Sequence, residues 1–289
     1  MSGQSEVTQY ATSADGTKLA VRVSGTRDGM PLLLLHGVSS SSVTYDWLPQ
    51  DALEGLRVYK LDFRGHGASD PAPGTYTHLR YFDDAVAVLE QLIKQPAALS
   101  GFSLGGMVGW TLAQRRPELL LAGLLEEPVL FPEDPETSML PEILRNTIRQ
   151  EMDWKSRGID DATAAAELGQ NPAGPDVVLA DMVHEDSIIG LAAATRRRDR
   201  GVTEAAIAGQ MTEDIDITSP LKAPVVVLAG GKHLGSVFHP EHADILKQTY
   251  PDLNIRFVNE AGHDLHNSFA GRQLYTEVLA EVIALARGQ

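Results

Sequence analysis

The sequence predicts an α/β architecture: a mostly parallel sheet with helices on both faces and a helical insertion past its middle. Three observations predict it. Short apolar runs alternate with segments of helical period, the pattern of βαβ units. The run Pro31-Leu32-Leu33-Leu34-Leu35 is apolar at every position, as a strand covered on both faces requires. Residues 129–218 then interrupt the alternation with helical segments alone.

In order, residues 8–13 and 18–24 alternate in strand fashion around Asp15-Gly16, a hairpin signal. The apolar run at 31–35 ends in His36-Gly37-Val38-Ser39. A strand at 57–61 ends in Asp62-Phe63-Arg64-Gly65-His66-Gly67. Residues 77–94 have helical period, with Leu79, Phe82, Val86, Leu89 and Ile93 as the apolar stripe. Ala97-Ala98-Leu99 leads into Gly101-Phe102-Ser103-Leu104-Gly105, and a helical segment follows. A strand at 119–125 ends in Glu126-Glu127-Pro128. Helices are expected at 141–157, 160–168, 176–200 and 202–211, separated by proline and glycine breaks. The alternation resumes with a strand at 223–229, a helix at 239–250, a strand at 254–259, a loop holding His263 and a helix at 274–286. The expected division is a core of residues 1–128 and 219–289 with a helical cap, or lid, at 129–218.

Composition narrows the function. The 289 residues are 43% hydrophobic, ample for a full-sized core. Lys plus Arg number 24 against 39 Asp plus Glu, a net charge of −15. So acidic a surface repels phosphate backbones and anionic lipid, so neither nucleic acid nor membrane is an expected partner. The absence of cysteine excludes disulfides, thiolate metal sites and a cysteine nucleophile. The polar N-terminus lacks a basic segment followed by an apolar core, and no apolar run reaches membrane-spanning length. The expectation is a cytoplasmic protein, monomer or homodimer.

Gly101-Phe102-Ser103-Leu104-Gly105 is a Gly-x-Ser-x-Gly motif between an expected strand and helix. A serine on such a sharp turn adopts a strained backbone and lifts its hydroxyl clear of the sheet, while the glycines let strand and helix approach. The hydroxyl becomes a nucleophile when an imidazole takes its proton and a carboxylate orients the imidazole. His263, just after the last strand, is the expected base. His36 is expected to brace its loop, and His266 to face the lid or the surface. Oxyanion donors are expected from the N–H groups of Leu104 and of the Gly37-Val38 loop. Ser39 to Ser42 could line the entrance or cap a helix beginning near Val43, and capping is the expectation.

The acid is less direct. The loop after the strand at 223–229 reads Gly230-Gly231-Lys232-His233, with histidine where this architecture usually carries aspartate. Asp264 is too close in sequence to His263, and Glu241 lies well into a helix. Glu126 and Glu127 remain. Alternation lets one of the two face the site, and Glu127, fixed by Pro128, is the choice.

Through His36-Gly37, Asp62-Phe63-Arg64-Gly65-His66-Gly67-Ala68-Ser69, Gly101-Phe102-Ser103-Leu104-Gly105 and Gly262-His263, the chain resembles the α/β-hydrolase superfamily from about residue 20 to 287. The resemblance implies the α/β-hydrolase fold, a mostly parallel eight-stranded sheet with a helical cap, and Ser103 and His263 as nucleophile and base. The zearalenone-type lactonases carry a glutamate after the earlier strand, and by that likeness Glu127 takes the acid's place.

The expected function is therefore hydrolysis of an ester or lactone of a small, largely apolar molecule. Two alternatives use the same fold: C–C bond hydrolysis or a cofactor-free lyase or perhydrolase reaction, and a catalytically silent binding protein. No cofactor is expected, since residues 101–106 lack the lysine of a P-loop and the spacing of a dinucleotide site. No metal is expected either: the nine histidines are dispersed. For substrate contacts the candidates are Trp154, His184 and Met107. Met139, Leu140, Ile143, Met182, Val183 and Ile188 could line an apolar wall or pack the cap's own core. Arg196-Arg197-Arg198 could meet an anionic substrate, but charge runs on helices usually face water, and that is the expectation.

Overall fold

The computed structural model describes residues 6–134, 140–174 and 176–288. Its main sheet has eight strands: β1 (Val7–Thr12), β2 (Lys18–Gly25), β3 (Met30–Leu35), β4 (Leu56–Leu61), β5 (Ala97–Phe102), β6 (Leu120–Glu126), β9 (Val225–Gly230) and β10 (Asn254–Val258). They lie in the order β1-β2-β4-β3-β5-β6-β9-β10. β1 pairs antiparallel with β2 and β2 with β4; every pairing from β4 to β10 is parallel.

The all-apolar strands are explained by what covers them. Along β3, Leu33 and Leu35 enter one buried cluster with Leu99, Val108 and Trp110, while Leu32 and Leu34 enter a second with Ala98, Leu124, Val278 and Leu279. Alternate side chains thus meet helices α1 (His78–Val88) and α2 (Leu104–Arg115) on one face and α9 (Arg272–Arg287) on the other.

Between β6 and β9 lie α3 (Leu140–Arg157), α4 (Asp161–Gly169), a short pair β7 (Pro172–Gly174) and β8 (Val177–Val178), α5 (Leu179–Met182), α6 (Glu185–Arg197) and α7 (Arg200–Ile207). After β9, α8 spans Pro240–Thr249. Trp154, Ala164, Ala165, Val183, Ile188 and Ala192 form a separate cluster within the inserted segment. No helix among the described residues is long and apolar enough to cross a membrane.

Three elements differ from expectation. The segment 77–94 is α1 followed by a π-helical turn, Leu89–Ile93, ending at Lys94 with φ +62°. Of the expected stripe Leu89 and Ile93 are buried, but in α1 the deepest positions are His78, Tyr81, Asp84, Ala85 and Val88, and Leu79, Phe82 and Val86 are only half-buried. Asp84 is drawn inward by the buried Arg64 guanidinium, 2.6 Å away, which rotates the helix from its apolar stripe. The helix expected over 176–200 breaks at 183–184 because that backbone pairs elsewhere: the His184 N–H donates to Asn267 O (3.0 Å) and the Phe269 N–H to Met182 O (2.9 Å). After Ser41 there is a single 3-10 turn, Ser42–Tyr45. The serine side chain does not cap it; Asp62 accepts the Ser42 N–H instead (2.8 Å).

Candidate active site

Strand order decides which loops meet. β5 lies between β3 and β6, so the loop at Gly37-Val38 and the end of β6 at Glu126-Glu127 flank Ser103, the residue after β5. Ser103 has φ +51° and ψ −107°, a strained conformation for a residue with a side chain. Its N–H donates to Glu126 O at 2.9 Å and its own carbonyl accepts the Met107 N–H at 3.0 Å, so strand and helix pin it from both sides. The turn demands small neighbours. A Cβ on Gly105 would lie 2.1 Å from Leu35 O, and one on Gly101 would lie 2.2 Å from Gly105 O.

Ser103, His263 and Glu127 come together. The His263 Nδ1–H donates to Glu127 Oε2 (2.9 Å), which leaves Nε2 as the acceptor for the Ser103 hydroxyl (3.1 Å). His263 follows β10, three strands from the β5 elbow, and the glutamate at the end of β6 reaches it across β9. The backbone permits this because Glu127 itself has φ +49°, turning its side chain away from that of Glu126. The Glu127 carboxylate is fully buried, with Oε1 accepting the Gly230 N–H (2.6 Å) and the Ser236 hydroxyl (2.5 Å), and Oε2 accepting the Val237 N–H (2.7 Å). With His263 that makes four donors, enough to hold a desolvated carboxylate in one orientation.

The loop after β9, which lacks an aspartate, thus supplies donors for the glutamate of the neighbouring strand. His233 is exposed in a 3-10 turn, Lys232–Leu234, away from these groups. Sequence reasoning missed the roles of Gly230, Ser236 and Val237. One signal was the Gly230-Gly231 pair: a Cβ on Gly230 would lie 2.4 Å from Gly262 O, so the loops of β9 and β10 touch only without it.

Leu104 begins α2, so its N–H has no intrahelical partner. Val38's N–H has no hydrogen-bond partner among the described residues. A Cβ on Gly37 would lie 3.2 Å from Ser103 Cβ, which puts this loop directly over the serine. His36 braces the loop as expected. Its Nδ1–H donates to Gly37 O (2.8 Å), its Nε2 accepts the Phe63 N–H (3.1 Å), and burial pushes its pKa down to about 4.

His266 is not lid-facing or at the surface: it is fully buried. Its N–H and Nδ1–H both donate to Glu126 (2.8 Å each), with the ring stacked on Tyr45 and edge-on to Phe102. The two adjacent glutamates therefore anchor the same loop twice, Glu127 through His263 and Glu126 through His266. Burial alone would push the His266 imidazole down; the Glu126 carboxylate overrides it and raises its pKa. A raised imidazole pKa contributes stability that is complete below about pH 6.5 and is lost as pH rises through the folded value. Glu126→Gln should therefore cost about 3–5 kcal/mol at pH 6. In urea unfolding at stepped pH, the gap to wild type should shrink as pH rises; a constant gap would mean that no proton is held there.

Of the substrate-contact candidates, Met107 is buried one helical turn after Ser103, against Val129 and Val237. His184 is half-buried, its ring 4.3 Å from that of Phe269. Trp154 is withdrawn into the core of the inserted segment, its Nε1–H donating to Glu167 (2.8 Å), so it offers a substrate nothing. Val183 and Ile188 share that core and Met182 packs against it. Met139 and the side chains of Leu140 and Ile143 lie outside the described residues.

The histidines are less dispersed than their spacing suggests. Asp134, His239 and His242 offer ligand atoms within 4.8 Å of one another, as do Glu126, Asp264 and His266. In the first group His242 Nδ1 accepts the His239 N–H (3.1 Å), and its Nε2–H donates to Asp134 (2.7 Å). Both ring nitrogens of His242 are thus committed to hydrogen bonds, which does not fit a metal ligand.

Residues 32–276 match the profile of the Alpha/beta hydrolase family. A 2-(acetamidomethylene)succinate hydrolase of Mesorhizobium japonicum is 32% identical over 102 residues, 35% of this chain and 36% of that protein. An sn-1-specific diacylglycerol lipase of Xenopus tropicalis is 23% identical over 254 residues, 84% of this chain and 75% of the lipase. Three further relatives are matched over only 42%, 40% and 39% of their own length, so the similarity spans less than half of each. Among solved structures, an E-2-(acetamidomethylene)succinate hydrolase superposes with a TM-score of 0.75 at 19% identity, covering 96% of this chain and 99% of the other.

Proposed function

This chain belongs to the alpha/beta hydrolase family, and from that premise we propose that it is a serine-dependent hydrolase of ester or lactone bonds. The continuous relay from Ser103 Oγ through His263 to the buried Glu127 carboxylate carries the proposal. His263 Nε2 removes the hydroxyl proton as Oγ attacks the carbonyl carbon. Glu127 holds the Nδ1–H tautomer and stabilises the imidazolium that forms. Negative charge on the carbonyl oxygen is received by the free N–H groups of Leu104 and Val38, the first aided by the α2 dipole. The imidazolium then protonates the leaving alcohol. Water, activated by the same imidazole, releases the acyl group and restores Ser103. The inserted helices, residues 129–218, act in this reading as a cap whose chemistry selects the substrate.

A panel of p-nitrophenyl esters and lactones against the purified protein tests the reading, together with a serine-directed fluorophosphonate. Turnover of at least one ester or lactone and a phosphonyl adduct on Ser103 by peptide mass spectrometry are expected. No turnover and no adduct would favour a silent binding protein on the same fold.

A further inference from the structure

Arg196-Arg197-Arg198 does not face water as a unit. Arg196 and Arg197 are paired to Asp161, but Arg198, where α6 ends, is 3% exposed. A buried guanidinium is costly unless its charge and its five N–H donors are matched. Here the match is incomplete. Its nearest carboxylate, Glu151, is 3.5 Å from Nη2, at the limit of a hydrogen bond, and Glu151 is also held by Lys155 at 2.9 Å. Nε and Nη1 have no hydrogen-bond partner among the described residues. Burial accordingly lowers the Arg198 pKa despite the carboxylate.

The position of this cation matters as much as its isolation. The next residue, Asp199, donates its N–H to Gly65 O (2.7 Å), fixing the α6–α7 junction onto the loop after β4. In that loop His66 lies close enough for the Arg198 charge to help depress its pKa, after burial and His36. The His66 ring in turn reaches Val38 O at 3.0 Å. Arg198 therefore directly precedes a residue that is bonded to the loop whose His66 reaches the Val38 carbonyl. Tyr81, whose phenol also feels the Arg198 charge, has a buried hydroxyl without a partner among the described residues.

We propose that Arg198 anchors a carboxylate of the substrate, so that the molecule cleaved at Ser103 is an acidic ester or lactone rather than a wholly apolar one. This rests on the hydrolase reading above. A carboxylate completes the hydrogen bonding of Nε and Nη1, the two groups that Glu151 leaves unmatched. The anchor fixes the ester carbonyl by holding the other end of the molecule. With a net charge of −15 the protein does not attract anions at long range, so selectivity for the acid rests on this one cation.

The test compares mono-p-nitrophenyl succinate with p-nitrophenyl butyrate, close in size but differing by one carboxylate. Wild type should favour the succinate ester, and Arg198→Gln should lower the ratio of the two kcat/KM values roughly 10- to 100-fold, as expected for hydrogen bonds to a charge. A merely structural arginine would depress both esters together, leaving the ratio unmoved, and that result overturns the proposal. Should Arg198→Gln not fold, Arg198→Lys keeps the charge, loses the planar donors and reads the same ratio. Calorimetric titration of succinate into Ser103→Ala, with and without the Arg198 change, gives a readout independent of turnover. Weakening by at least about tenfold supports the anchor, and equal or absent binding overturns it. If wild type cleaves neither ester, the hydrolase reading is in difficulty while the titration still decides Arg198.

Discussion

Ser103→Ala should reduce kcat for any accepted ester on the order of 10⁶-fold, leaving only the acceleration supplied by binding and the oxyanion donors. The loss should fall on kcat, because the hydroxyl makes its bond only as the reaction proceeds, and active-site titration should show no burst of released alcohol. Stability should move little, since the hydroxyl gives up one hydrogen bond, to His263. A second substitution separates chemistry from backbone. The φ of +51° strains alanine as it strains serine, whereas glycine relaxes it. Ser103→Gly should be as inactive as Ser103→Ala yet more stable than it by about 1 kcal/mol in urea unfolding. Measurable ester hydrolysis at wild-type rate in either variant would remove Ser103 from the mechanism.

The second large effect is at Glu127, where activity and stability are coupled. Glu127→Gln keeps the volume but removes the charge that sustains the imidazolium, and kcat should fall about 10⁴-fold. It also turns an amide N–H₂ toward groups that are themselves donors, so stability falls as well. Glu127→Ala is harsher. It leaves the Gly230 and Val237 N–H groups and the His263 Nδ1–H without their acceptor, while the Ser236 hydroxyl can turn to Phe238 O at 2.9 Å. At about 1–3 kcal/mol for each buried donor left unpaired, folding itself is threatened. Glu127→Asp keeps the charge on an arm one methylene shorter and should recover stability better than activity. Rates and urea midpoints for the three, read together, check the assignment. A glutamine variant with nearly full rate would place the acid elsewhere.

Much of this was legible in the chain. Strands apolar at every position require two covered faces, and their alternation with helical periods leaves few topologies. The Gly-x-Ser-x-Gly turn is legible because only glycine tolerates the approaches at Gly101 and Gly105, so sterics write themselves into residue type. A histidine after the last strand is legible for a similar reason: the loops at the strand ends are where an α/β sheet gathers its polar groups.

Other features depend on contacts between distant segments and leave no periodic mark. Neither residue type nor spacing shows that Glu127 takes a positive φ, or that Glu126 and Glu127 each receive a histidine from one loop. The expected helix stripe on α1 shifted because a buried Arg64–Asp84 pair outweighs an apolar surface in setting the helix's rotation. His266 and Arg198 look like surface residues because polar side chains usually are; burial comes from neighbours more than 50 residues away in some cases and is not encoded locally.

The sequence by itself determined the sheet, the turn that bears Ser103 and the loop that bears His263, since those follow from local sterics and from the period of apolar residues. The sequence also pointed to Glu127, but only the tertiary structure decided what holds it, that Glu126 takes the second histidine of the same loop, and that one arginine of three is buried with its donors unmatched. These are questions of which segments touch, and a charge is costly or useful according to what desolvates it, not according to its place in the chain.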